Sequence, residues 1–319
     1  AMHNIITIAE NNVSDGRLPM VSILVINYNN ACYIHACLNS IVKQTYGDYE
    51  IIIADDCSTD NSEDEIKKWL GAHSNLTFKY IQHETNAGNP SATCNTALRH
   101  ARGKYISLIS SDDLMHDRKL EIQVAELENT DDQVGALYSD AQFIDEKGHR
   151  VFGSFIQHQR RGDYKLPGSD MYDDLCKRNF IPAMSILYKK EIFDHVGFFD
   201  EELTFEDYDM LLKIAKNYSI NFSEYVSVSY RLHDSSLSSS CVYVPSQIKI
   251  MLEHQDCKQA FYTLKELAEN VVIYRNSECL PLLKSAKQKK IRLYYYIGKL
   301  PGGRKLKEFY LAVMNLVIN

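Results

Sequence analysis

No apolar run in this sequence approaches the ~18 to 20 residues that a membrane-spanning helix needs. The best candidate, FYLAVMNLVIN at the C-terminal end, is too short. None of the eight cysteines (Cys32, Cys37, Cys57, Cys94, Cys176, Cys241, Cys257 and Cys279) forms a C-x-x-C pair, and no Cys/His cluster has zinc-finger spacing. That argues against a structural zinc site and a dithiol redox motif. Scattered thiols with no signal-peptide pattern fit a reducing cytosol. No G-x-G-x-x-G follows the first strand-like run and no G-x-x-x-x-G-K-[ST] occurs anywhere, which argues against a Rossmann dinucleotide site and a P-loop. Positive charge is not in excess: the formal net charge is −7, so no nucleic-acid partner is expected. An anionic ligand would then need a local cation, from a basic side chain or a bound metal. Internal repeats and low-complexity tracts are missing too.

What is present is a chain of 319 residues, 45% hydrophobic and 24% charged, the composition of a globular protein with a sizeable core. Residues 1–18 are polar and mixed and read as a poorly ordered leader. From Val21 the chain alternates. VSILVI, YEIIIA, LTFKYIQ and KYISLIS are short buried-strand runs, and between them apolar residues recur at helical spacing, as at Ile34, Leu38, Ile41 and Val42. Gly103 is expected to end the third helix. Strand–helix alternation over roughly 90 residues predicts an α/β fold with a mostly parallel sheet. Such sheets bind ligands beyond the carboxyl ends of their strands. Three polar clusters fall there: Asn27, Tyr28 and Asn29; Asp55 and Asp56; Asp112 and Asp113. Residues 145–182 read as an irregular insertion over the site, and a helix is expected to start near Glu206.

Each cluster has two readings on its residues alone. Asp112 and Asp113 suit Mg²⁺ or Mn²⁺ bridging protein acids to substrate phosphates, or a helix cap with solvated acids. Asp55 and Asp56 suit a base imide or ribose hydroxyls, or capping of the next helix. Tyr28 suits stacking or plain packing. Glu206, Asp207 and Asp209 suit a general base, or acids favoured by a helix N-terminus, and spacing does not choose among the three. His233, before a polar loop at 234–240, is incidental or a ligand for Mn²⁺.

The order of these motifs resembles the family 2 inverting glycosyltransferases of the GT-A fold, over roughly residues 20–240. LNSIVKQTYGDYEIIIADDCSTDNS is similar to the pattern SvlxQTyxxxEiiivDDgStD. NAGNPSATCNTALRHARGKYISLISSDD is similar to NxGxxxArNxgixxAxGxyixfLDxDD, and VGFFDEELTFEDYDMLLKIA to vGgFDexlxxxEDydlxlRla. The resemblance implies a Rossmann-like, mostly parallel sheet flanked by helices, with a GT-A catalytic domain at 19–240 and a C-terminal helical region at 241–319. It implies a metal-dependent transferase that moves a sugar from a nucleotide-sugar, a UDP-sugar by preference, to a saccharide or lipid-linked acceptor in surface polysaccharide (O-antigen type) synthesis.

Residue by residue, the resemblance has Tyr28 stack on the base beside Asn29 and Asp56 bond the uracil imide. Asp113 holds Mn²⁺ or Mg²⁺ with His233 nearby, Asp112 contacts ribose or metal, and Asp207 is the base. Three departures stand out. Ser110 occupies the first acidic position, Cys94 stands where an Arg is common, and Phe198 replaces a Gly. A nucleotidyltransferase, or an inactive nucleotide- or carbohydrate-binding relative, is the alternative.

The tail differs from the rest. Between Lys284 and Glu308 nine cations face one acid, 9 − 1 = +8, interleaved with Leu293, Tyr294, Tyr295, Tyr296 and Ile297. A basic amphipathic stretch with aromatics suits an anionic membrane surface, here the inner face of the cell membrane, or a helix packed on the catalytic domain.

Overall fold

The computed structural model describes residues 4–12, 17–159, 170–204, 206–233, 243–274, 276, 278–299, 304, 307, 308 and 311. The expectations for the loop at 234–240, for Arg160 and Arg161 and for most of the last twenty residues lie outside them. The chain divides into two compact units, residues 1–166 with 180–236, and residues 167–179 with 237–319.

The first unit opens with β1 (Ile5–Asn11), β2 (Val21–Asn27), α1 (Ile34–Ile41), β3 (Tyr49–Asp55), α2 (Ser62–Ala72), β4 (Phe78–His83), α3 (Pro90–His100) and β5 (Tyr105–Ser110). It continues with β6 (Leu114–Met115), α4 (Lys119–Glu128), β7 (Val134–Ile144), β8 (Arg150–Ser154) and α5 (Phe155–Gln159). The second unit's α6 (Met171–Lys177) intervenes. The first unit resumes with a 3₁₀ turn at Ala183–Ser185, β9 (Leu187–Lys189), α7 (Ile192–Val196), α8 (Glu206–Ala215) and β10 (Ser219–Arg231). Among the described residues the strands form one sheet in the order β1-β4-β3-β2-β5-β9-β7-β10-β6, with β8 on β7. β4, β3, β2 and β5 run parallel, as do β7 and β10; β1, β9, β6 and β8 pair antiparallel.

β2 and β3 are apolar almost throughout because both faces of the sheet are covered. Ile23, Val25, Ile51 and Ile53 lie in one core with Leu38 and Ile41 of α1 and with Trp69 and Leu70 of α2. Full burial contributes roughly 1.5–3 kcal/mol for each aliphatic side chain. α3 starts on Asn89, whose side chain accepts the Ala92 N–H at 3.2 Å, with Pro90 in the first turn.

Three expectations change. The residues read as a leader contain β1, which adds to the sheet by pairing with β4 from Ile5↔His83 to Asn11↔Phe78. Its order comes from that long-range pairing, which local composition does not reveal. Gly103 lies beyond the α3 C-cap, Ala101, and serves close approach instead: a Cβ there would sit 2.5 Å from the Ser22 backbone nitrogen. The stretch read as irregular carries β8, α5 and α6. β8 is an exposed edge, and α5 and α6 are five and seven residues long, too short for a periodic signal.

The second unit holds α6, α9 (Tyr243–Glu253), α10 (Lys258–Ile273), a 3₁₀ segment at Leu280–Ser285 and α11 (Lys289–Lys299). α10 packs against α6, α9 and α11. Ile248, Met251, Leu264, Val271, Ile291 and Tyr294 are buried there. Thr263 Oγ1 donates to the Cys176 carbonyl at 2.7 Å, and the Tyr294 hydroxyl donates to Glu269 at 3.0 Å.

Candidate active site

β2, β3 and β5 are neighbours, so their carboxyl ends stand side by side. Asn27 is in register with Asp55, and Ile26 with Ser110. Asn27 Nδ2 donates to Asp55 Oδ1 at 2.5 Å. Asp55 Oδ1 also accepts the Ser58 hydroxyl at 2.5 Å, and Oδ2 accepts the Ser58 N–H at 2.9 Å and Gln82 Nε2 at 3.2 Å. Both Asp55 oxygens are therefore spent on the turn after β3 and on the neighbouring strands β2 and β4. Asn29, in the left-handed region at φ +52°, accepts the N–H of Thr59 at 2.7 Å through its amide oxygen and donates its own N–H to Ser58 Oγ at 2.9 Å. The two loops are thus locked together, and Tyr28 projects from them 48% exposed.

Asp56 differs from its neighbour. Its Oδ1 accepts from His83 Nδ1 at 2.7 Å and from the Ala87 N–H at 2.8 Å, while its carbonyl accepts Asn86 Nδ2 at 3.0 Å. Oδ2 takes no hydrogen bond from any described residue.

At the end of β5, Asp112 Oδ2 accepts from His233 Nε2 at 2.9 Å, and Asp112 Oδ1 is buried with no hydrogen-bond partner. Asp113, 2% exposed, accepts the Arg231 backbone N–H on Oδ1 at 2.9 Å. Burial first, and then the adjacent Asp112, hold the Asp113 carboxyl well above the ordinary carboxylate range, against the pull of Arg231. Arg231 ties this corner together. Its Nε donates to the Asp112 carbonyl at 2.7 Å, and Nη1 donates to the carbonyls of Asp145 and Glu146, each at 3.0 Å. Its guanidinium lies 4.7 Å from the Tyr33 ring centre, and the His233 ring lies 5.2 Å from the same ring.

The donor set fits a hard divalent cation. An orphaned buried carboxylate oxygen and a close pair of acids, one of them raised first by burial and then by its neighbour's charge, are conditions such a cation relieves. Among the described residues no three His, Cys, Asp or Glu side chains form a complete cage.

The acids near α8 separate. Asp209 is fully buried with Lys213 Nζ at 2.6 Å, and burial raises its carboxyl. It faces the core. Asp207 is half-buried at the start of α8, and the Glu206 side chain lies outside the described set. The loop before α8 is anchored on α3. Asn89 Nδ2 donates to the Glu201 carbonyl at 2.8 Å, Ser91 Oγ to the Leu203 carbonyl at 3.0 Å, and Asn95 Oδ1 accepts the Phe199 N–H at 3.0 Å. The start of α8 is thereby tied to the helix that follows the Asp56 contacts. Of the departures, Cys94 is buried, and Phe198 is exposed beneath the Arg99 guanidinium, 5.3 Å from its ring centre.

Sequence reading missed Arg231, Tyr33, His83 and Lys119. Arg231 stands two residues before His233, a proximity that could have flagged it. Lys119 carries no signal. It is a fully buried lysine bonded to Gln123 Oε1 at 2.5 Å and to the Ser185 carbonyl at 3.3 Å, its ammonium brought down to about 7 by burial.

A mostly parallel sheet flanked by helices, with acids and a histidine gathered beyond its strand ends, is the arrangement of a GT-A-like α/β fold. The Glycosyl transferase family 2 profile matches residues 22–196, more than half of the chain. The protein belongs to that inverting family and carries its nucleotide-sugar-dependent glycosyltransferase domain.

An uncharacterized glycosyltransferase of Rickettsia felis is 30% identical over 264 residues, 80% of this chain and 40% of the relative. The chain spans about two fifths of the length of this protein and of its Rickettsia conorii counterpart. The Escherichia coli UDP-Glc:alpha-D-GlcNAc-diphosphoundecaprenol beta-1,3-glucosyltransferase WfgD is 27% identical over 69% of this chain and 80% of its own. Staphylococcus aureus TarS (residues 1–349), solved with UDP-GlcNAc, shares the fold at a TM-score of 0.66, with 19% identity over 92% of this chain and 91% of that one. The mannosyltransferase PcManGT of Pyrobaculum calidifontis, solved with GDP-Man and Mn²⁺, does so at 0.55, with 19% identity over 98% and 83%. GT-A structural relatives thus include one that binds Mn²⁺ and one that binds a UDP-sugar. Among the described residues no helix is long and apolar enough to cross a membrane.

Proposed function

We propose that the protein transfers a sugar from a UDP-sugar to a hydroxyl of a lipid-linked saccharide, with inversion at the anomeric carbon, in the synthesis of a surface polysaccharide. The observation that carries this reading is the Asp112 carboxylate, with one oxygen on His233 and the other buried without a partner. Asp112 and His233 would hold Mn²⁺ or Mg²⁺ against the donor diphosphate, with Asp113 behind them. Asp113 anchors the Arg231 backbone N–H through Oδ1. When bound, the cation neutralises the charge that develops on the departing diphosphate.

Tyr28 stacks on the base, and Asp56 accepts the uracil imide N–H on Oδ2. Asn29 acts by holding the two loops that carry them. Asp207 takes the proton from the attacking hydroxyl as the oxygen closes on the anomeric carbon. A single displacement inverts configuration, so an α-linked donor gives a β-linked product. The relative WfgD, named for UDP-Glc and a diphosphoundecaprenol acceptor, supports the donor and acceptor classes.

A panel of UDP-, GDP- and CDP-sugars, scored by nucleoside diphosphate release with Mn²⁺ and with EDTA, tests this reading. Release from a UDP-sugar that EDTA abolishes is expected; metal-independent release would refute it. Asp207→Asn should cut transfer about 10³-fold or more while leaving UDP affinity intact, and retained transfer would move the base elsewhere.

The domain reading, a catalytic domain at 19–240 followed by a helical region at 241–319, extends to a membrane role for α11. One face of α11, Ile291, Tyr294 and Ile297, is buried within its unit. Lys289, Lys290, Leu293, Tyr296 and Lys299 are exposed and Arg292 is partly so, a basic face with apolar rings suited to the anionic inner leaflet. Replacing Lys289, Lys290 and Arg292 with Glu leaves the buried face intact. It should lower sedimentation with phosphatidylglycerol vesicles about tenfold or more while turnover of a water-soluble acceptor persists. Unchanged sedimentation would end the membrane reading.

A further inference from the structure

Asp56 does not stand alone in the core. His83, the last residue of β4, is 2% exposed and places Nδ1 2.7 Å from Asp56 Oδ1. Its Nε2 lies 2.9 Å from Thr96 Oγ1 in the middle of α3. A carboxylate only accepts, so Nδ1 carries the proton, and in the neutral ring Nε2 accepts from the threonine hydroxyl. The series hydroxyl–imidazole–carboxylate has the composition of a nucleophilic triad. Thr96 is buried, however, and no substrate reaches its oxygen. The chain of bonds runs the other way, from a rigid helix through the ring to the acid.

We infer that His83, held by Thr96, is a positioning residue for base selection. It pins Asp56 Oδ1, together with the Ala87 N–H, so that Oδ2 is presented at a fixed angle to the base. The inference rests on the reading of Asp56 as the acceptor of the uracil imide. Uracil offers an N–H at the ring position where cytosine offers a lone pair. A carboxylate held in place and aimed accepts the first and repels the second, because the site's own acceptor is left unpaired against cytosine. A carboxylate free to rotate loses part of that discrimination without touching the sugar or the acceptor hydroxyl.

The test is calorimetric binding of UDP and of CDP with Mn²⁺ present, alongside donor KM and kcat. His83→Phe keeps a ring of similar size and removes both bonds. It should weaken UDP binding about 10- to 50-fold, lower the UDP-over-CDP preference by a similar factor, and leave kcat at saturating donor within about threefold. His83→Asn can place its amide N–H where Nδ1–H stood and should recover most of the preference. Thr96→Val, nearly isosteric, should cost about three- to fivefold in UDP affinity.

A preference unchanged in His83→Phe, with Asp56→Asn losing it, overturns the positioning role and spares the base reading. If Asp56→Asn also leaves the preference unchanged, the base reading and the positioning role fall together. Should His83→Phe fail to fold, His83→Asn and Thr96→Val decide. Loss of kcat with KM and the UDP-over-CDP preference unmoved in both would overturn the inference.

Discussion

The two acid pairs, Asp55–Asp56 after β3 and Asp112–Asp113 after β5, look alike in sequence and behave differently in the fold. In the first pair the division is clean. Asp55 spends both oxygens on Asn27, Ser58 and Gln82, and Asp56 leaves Oδ2 without a hydrogen bond from any described residue. In the second pair the bonding is incomplete. Asp112 leaves one oxygen buried without a partner, and Asp113 is raised by burial and by Asp112. A satisfied pair stabilises the chain; a frustrated pair marks where an external charge belongs.

Substitutions can break or sharpen that contrast. The largest effect is expected at Asp112. Asp112→Asn should lower Mn²⁺-dependent UDP release on the order of 10³-fold with the melting temperature within ~2 °C of wild type. A full loss from Asp113→Asn alone, with Asp112→Asn active, would reverse the two roles. In the other pair, Asp55→Ala removes the acceptor of four hydrogen bonds, from Asn27 Nδ2, the Ser58 N–H, the Ser58 hydroxyl and Gln82 Nε2. It should cost about 2–4 kcal/mol of unfolding free energy in urea titration. If Asp55→Ala melted like wild type, the reading of Asp55 as the structural member would fail.

The smallest expected effect lies away from both pairs, at Lys119, a buried amine whose partners are Gln123 and the Ser185 carbonyl. Lys119 has its ammonium lowered to about 7, so between pH 7 and the unfolded value the unfolded chain binds more protons. Stability therefore rises with pH over that window, and the cost of charging Lys119 is fully present below it. The difference between Lys119→Met and wild type should favour the variant at pH 6 by on the order of 2 kcal/mol and shrink by pH 9. A pH-independent difference would contradict a neutral buried lysine.

The parallel half of the sheet was legible because β2, β3 and β5 are buried on both faces and so read as continuous apolar runs. The positions of Tyr28, Asp56 and Asp112 followed, since a strand's end fixes where its next side chains emerge. Partner choice was not legible. Arg231 reaches the Asp112 carbonyl across 119 residues, and β1 finds β4 across two strand–helix units. No local pattern encodes such contacts. Nor does spacing distinguish Asp209 from Asp207; the helical turn that puts Lys213 beside Asp209 does.

The second unit is assembled from two stretches, 167–179 and 237–319. A chain emerging from the ribosome N-terminus first makes α6 before residues 180–236 and well before α10. Until then the Leu175 and Cys176 side chains and the Cys176 carbonyl lack the helix whose Thr263 satisfies that carbonyl. Synthesis arrested inside 237–319 would leave a catalytic-type domain already folded, with a short helix inserted in its sequence whose Leu175 and Cys176 face is uncovered. Such a species is a natural client for chaperones and proteases.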